Sequence, residues 1–192
     1  MRFFLSILAV VIAVIVVIVI VATNGSGPKQ KEFNVTSYNY PGTSVVQTTT
    51  GILTGQDMRQ AIRISVSQSN RTIDILTGYN QNVTSTESFS NDSAAYDAFL
   101  GALQNASYTH SRFTTQQYIY GICPLGNTYQ YVLNSPSGPV SNLWSTGCST
   151  KDGTFAGNGP LIRQLFTLQI PNYNAFTQNV PNIVSASSLF TL

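Results

Sequence analysis

The segment Ala61-Ile62-Arg63-Ile64-Ser65-Val66 alternates apolar and polar side chains without a break, and Thr72-Ile73-Asp74-Ile75 resumes the alternation after Ser67-Gln68-Ser69-Asn70. A period of two is that of a strand with one buried face, and Ser and Asn close tight turns with their own side chains. The two segments therefore predict a β-hairpin, and a folded region that is mainly β.

Downstream, a polar stretch holds Asn82 and Asn91 and reads as a loop. Tyr96, Phe99, Leu100 and Leu103 then recur at i, i+3, i+4 and i+7 behind Asp92 or Ser93, the spacing of one short amphipathic helix with a polar cap. Phe113 to Ile122, Thr128 to Leu133 and Leu161 to Ile170 read as further strands separated by Gly, Pro and Asn turns. Such punctuation suits a single β-sandwich over residues 42–192. Within it, Gly126-Asn127-Thr128-Tyr129-Gln130-Tyr131-Val132-Leu133-Asn134 resembles a G-x-Y-x-apolar-x-N strand of small extracellular β-sandwich domains in archaeal secreted proteins. With the strand, helix and strand order before it, the resemblance covers Ala61 to Ser137 and implies a fold, not an activity.

Upstream, Phe3 to Ala22 is apolar except for Ser6, and its 20 residues would span about 30 Å as a helix, the thickness of a bilayer's hydrocarbon core. Its length exceeds the roughly 7–15 apolar residues of a secretory signal and favours an uncleaved anchor over residues 1–22. Ile20-Val21-Ala22 before Thr23 also offers a small-residue cleavage site, so both outcomes stay open. Arg2 before the run, with Lys29 and Lys31 set back beyond it, favours export of everything that follows. Residues 23–41 then read as a stalk or a detachable strand, with weak alternation at Glu32-Phe33-Asn34-Val35.

Asn-x-Ser/Thr occurs at Asn24, Asn34, Asn70, Asn82, Asn91 and Asn105, and none of the eight later Asn residues carries it. This reads as a glycan-coated first half and a second half left bare for core or contact. Asn24 would lie too near a membrane to be modified unless the leader is cut. Cys123 and Cys148, 25 residues apart and without metal-type spacing, read as a disulfide of an oxidising exterior or as two buried thiols.

Only 8% of residues are charged, giving a net charge of +2 without a basic run, which speaks against nucleic acid as a partner. Seven carboxylates leave little to lose by protonation, as suits an acidic exterior or merely a polar one. The single histidine, His110, falls short of a copper or zinc ligand set, and no calcium loop, phosphate loop or nucleophile elbow occurs. No spacing singles out a pair of carboxylates for glycoside hydrolysis. No catalytic residue, metal or cofactor is assigned, and the chain reads as a non-enzyme. Leader, sequons, composition and predicted strands are similar to those of thread-type filament subunits of acid-loving archaea, glycosylated β-sandwich pilins joined by donor strands. That likeness implies a cut leader, with Lys31 to Tyr40 as the strand donated to a neighbour's sheet edge. The residues themselves suit a structural or adhesive protein of a cell or virion surface, assembling with itself or another surface protein, with the mildly hydrophobic Asn182 to Leu192 as an interface strand. The other expectation is a membrane-anchored module that binds a carbohydrate or an envelope partner.

Overall fold

The computed structural model describes residues 33–116, 118–149, 152–180 and 183. The chain divides into two units, Met1–Gln30 and Lys31–Leu192. The apolar leader, Asn24 and the Asn182 to Leu192 run apart from Ile183 lie outside the described residues. Among the described residues, no helix is long and apolar enough to cross a membrane.

Six strands make one antiparallel sheet: β1 (Ser44–Thr50), β2 (Gln60–Ser67), β3 (Asn70–Thr77), β4 (Asn82–Ser90), β5 (Thr128–Ser135) and β6 (Gly138–Thr146), in the order β4-β3-β2-β1-β5-β6. The expected hairpin is β2–β3, with Ile64 opposite Ile73 and Arg63 opposite Asp74. Its turn is closed by Ser67, whose hydroxyl accepts from the Asn70 amide at 3.2 Å.

The registers align Leu143, Tyr131, Gln47, Ile64 and Ile73 in one row across the sheet. All five side chains are buried on the same face. Helices cover that face. The first, α1 (Ser93–Asn105), begins where the Asp92 carboxylate accepts from the Ala95 amide at 2.8 Å, and it buries Tyr96, Phe99, Leu100 and Leu103 as its spacing predicts. The second, α2 (Gly159–Thr167), buries Ile162 and Phe166, and Phe166 meets Phe99 edge to face at 5.2 Å. A short third helix, α3 (Tyr173–Thr177), sets Phe176 against Phe89 of β4. Each large apolar side chain buried here contributes on the order of 1.5–3 kcal/mol.

The fold is therefore mainly β, but several of the sequence expectations are corrected. The second layer is helical: the described residues hold one sheet with helices packed on it, not a sandwich, and three α-helices rather than one. Leu161 to Ile170, expected as a strand, is α2 with its exit turn. Asn158 caps it by accepting from the Leu161 amide, Pro160 fits the first turn, and Ile162 and Phe166 stand one turn apart on the buried side. Phe113 to Ile122 contains no strand among its described residues, and the nearest pairing is a single bridge from Ser111, two residues before it, to Phe155. Conversely, the expected polar loop at Asn82 is strand β4, paired along β3 from Thr77–Asn82 to Asn70–Ser90.

Residues 33–40, the described part of the expected stalk or donor strand, hold the 3-10 turn Val35–Tyr38. Val35 is fully buried in the core, and its amide donates to the Gln104 side chain of α1 at 2.9 Å.

Candidate functional site

The sheet's other face carries mostly polar side chains, several of them largely buried. One row across it reads Trp144, Gln130, Thr48, Arg63, Asp74 and Thr86. Its centre is a shallow groove of about 400 Å³ lined by Thr48, Arg63, Ser65, Asp74, Gln81, Gln130 and Asn134 together with Val46 and Val132. Arg63 and Asp74 are directly opposed across β2–β3, so alternation places both on the solvent side of the hairpin whose other side is apolar. The guanidinium sits 2.8 Å from Asp74 Oδ2, and the Thr86 hydroxyl donates to Oδ1 at 2.8 Å. Both carboxylate oxygens are thus engaged by neighbouring strands. The groove holds paired charges, amides and hydroxyls, a set suited to hydrogen-bonding a neutral polar ligand rather than to removing a proton.

Reactive groups are scarce elsewhere. Among the described residues no three His, Cys, Asp or Glu gather into a metal site. Several buried hydroxyls are phenols: desolvation pushes Tyr108 well above the ordinary phenol value, with Tyr131 and Tyr96 adding to it. Burial raises Tyr131 although Arg163 opposes the rise, and burial pushes Tyr173 up to about 12. At neutral pH these phenols stay protonated and do not exchange protons readily. His110 is exposed in the strap after α1, where its carbonyl accepts from the Ala156 amide at 2.9 Å.

Five of the six sequon asparagines are described, and none is buried. Asn34, Asn82 and Asn105 are exposed, while Asn70 and Asn91 are half-buried. Asn34 caps the 3-10 turn, accepting from the Thr36 amide at 3.0 Å. Asn105 closes α1, and Gln104 beside it holds Val35, the residue after Asn34, so these two sequons are neighbours. Asn70 opens β3 and Asn91 follows β4, at the same end of the sheet, whereas Asn82 opens β4 at the opposite end. Asn91 donates its side-chain N–H to the Ser67 carbonyl at 2.6 Å.

Cys123 and Cys148 are joined by a disulfide, with Cα atoms 5.7 Å apart. It ties the loop before β5 to the loop after β6. Gly126 lies against it, and a Cβ there would come within 2.6 Å of Cys123 Sγ and 3.0 Å of Cys148 Sγ.

One feature lay outside the sequence reading. Phe113, Tyr118, Tyr120 and Leu125 are among the most exposed large apolar side chains described. Their run is aromatic and β-prone, which favours a strand, and the contrary signals are the breakers Gly121 and Pro124. A search of protein-family models, curated proteins and solved structures finds no match to this chain.

Proposed function

We propose that the chain is a non-enzymatic, N-glycosylated structural or adhesive protein of a cell or virion surface, exported behind residues 3–22 and assembling with itself or with another surface protein. The observation that carries this reading is the distribution of the sequons: each described one is accessible, and β5, β6, α2 and α3 have none. A disulfide and a surface short of charge suit an extracellular setting. The resemblance to thread-type filament subunits supports a filament form, with the donor strand drawn from residues 31–40. Donation would take Val35 out of its own core, at about 1.5–3 kcal/mol to be regained on the neighbour. N-terminal sequencing and glycan mapping of the native protein test the proposal. Glycans on at least three of Asn34, Asn70, Asn82, Asn91 and Asn105 are expected, and a chain without any glycan overturns it. A start at Thr23 selects the donor-strand form, and a retained Met1 selects the anchored one.

The open groove favours a second reading, a membrane-anchored module that captures a carbohydrate or envelope partner. Its amides and paired charges could hydrogen-bond hydroxyls of a neutral glycan. Arg63→Ala abolishing binding on a glycan array would support this second reading, and an array without any hit would remove it.

A further inference from the structure

Among the described residues, the loops at and near one end of the sheet carry most of the large exposed apolar side chains. Thr50, Thr77, Asn82, Thr128 and Thr146 mark that end, as their registers show. The chain from the outer edge of β6 to this end, where Arg112 donates its amide to the Thr154 carbonyl and Cys123 joins Cys148, carries Phe113, Tyr118, Tyr120 and Leu125, with 72%, 71%, 72% and 84% of their surface exposed. The disulfide fixes this loop to the end of β6, and Leu53 of the β1–β2 loop joins it by donating its amide to the Pro124 carbonyl at 2.8 Å. Soluble surfaces seldom present so many large apolar groups together without a partner.

We propose that this end of the sheet is a lipid-contact surface, with Phe113, Tyr118, Tyr120 and Leu125 entering the boundary between headgroups and acyl chains of a bilayer. Three observations choose lipid over other occupants. From Phe113 to Thr150 the chain has no charged side chain, so immersion of this loop desolvates no charge. The residues offered are Phe and Leu together with Tyr, whose ring is apolar and whose hydroxyl stays wet, the mixture that settles at membrane interfaces. The chain also brings a membrane-suited segment of its own: only ten residues separate Ala22 from Phe33, and ten residues reach at most about 35 Å.

The sequons fit such an orientation in part. Asn70 and Asn91 lie at the far end of the sheet, where glycans would point away from the lipid. Asn82 lies at the near end but on β4, four strands from β5, or about 19 Å at the usual strand spacing. A glycan there confines the contact to the β5–β6 side.

The inference goes beyond the surface-protein reading and does not require a retained leader. In the test, the full chain is reconstituted in phosphatidylcholine vesicles, with a protease site inserted between Gly25 and Lys29. The linker is then cut and the vesicles are floated. The released domain is expected to float with the lipid, and Phe113→Ser/Tyr118→Ser/Tyr120→Ser/Leu125→Ser is expected to lower the bound-to-free ratio at least tenfold. Leu125→Asn alone, a smaller change on an exposed side chain, is expected to lower it by a smaller factor, with the disulfide checked by peptide mapping. A wild-type domain left with the lipid-free fraction overturns the proposal, as does a quadruple variant that floats like the wild type. Lipid-independent self-association that the quadruple variant abolishes, without flotation, also overturns it and assigns the surface to a second copy of the chain. Because unglycosylated protein suffices, the surface-protein reading stands or falls separately, by glycan mapping.

Discussion

At one edge of the sheet, β4 leaves eight of its nine residues exposed and touches the core chiefly through Phe89. At the other edge, β6 buries four of nine, and its outer side is partly sealed: the Trp144 amide donates to the Thr154 hydroxyl and the Trp144 carbonyl accepts from the Phe155 amide. The β4 edge carries Asn82, Glu87 and a register shift after Ile75, while the β6 side has the disulfide and not one charge from Phe113 to Thr150. Unpaired strand edges recruit other strands unless something prevents it. One edge relies on polarity, a bulge and a glycan acceptor, and the other on covalent and backbone cover. The difference teaches that two edges of one sheet can be protected by different means, side-chain polarity at β4 and a covered backbone beside a disulfide at β6.

Breaking the cover should cost most. Cys123→Ser/Cys148→Ser is expected to lose about 3–4 kcal/mol, as the chain-entropy model gives for a loop of this size. Urea denaturation with and without reductant checks this, and a loss below about 1 kcal/mol would mean that the β6 edge holds without its tie.

Alkali attacks the same half. Tyr108 and Tyr131 pack edge to face under β5, and burial raises both phenols. A raised folded value stabilises the protein at every pH below the unfolded phenol's value near 10, and that contribution is lost as pH climbs toward the folded values. Stability should therefore fall progressively above pH 10, in parallel with tyrosinate absorbance at 295 nm. Unfolding midpoints measured between pH 9 and pH 12 test it.

Gly153→Ala should cost about 2 kcal/mol, because φ is +98° there and a Cβ would run into the Trp144 carbonyl. Proteolysis within the strap over β6 should accelerate in step. Asp74→Asn acts on the other side, loosening the link that Asp74 makes from β3 to Arg63 of β2 and Thr86 of β4, at about 1.5 kcal/mol by the same denaturation assay. Asn82→Gln, at an exposed position, should shift stability by less than about 0.5 kcal/mol in protein made without glycans. A larger loss there would show that β4 depends on its side chains as β6 does.

Much of the hydrophobic framework was legible. Strict alternation gave β2 and β3, and with their turn it fixed which side of each faces the core. The 3-4 spacing of Tyr96, Phe99, Leu100 and Leu103 gave α1, and Asp92 was read among its caps. The groove's Arg63–Asp74 pair was implicit in the same hairpin, since residues opposed across it share a face. By contrast β4, read as a loop, has no apolar alternation to read, because a strand exposed on both sides needs none. Leu161 to Ile170 carried Asn158 and Pro160 as helix-start signals, yet its apolar content admitted either reading until the sheet required a cover.

The sequence by itself determined the hairpin, the capped helix, the only possible cysteine pair and the positions open to glycosylation, because each rests on local spacing or on residue identity. Only the tertiary structure decided that the second layer is helical, that Asn82 to Ser90 is a strand, and that Phe113 to Ile122 remains an exposed loop. Those outcomes turn on which backbone finds a partner. The partner of β4 is β3, directly before it, but what holds β3 in place is a sheet assembled from strands up to 90 residues apart, as between Ser44 and Asn134. No local pattern records such a contact.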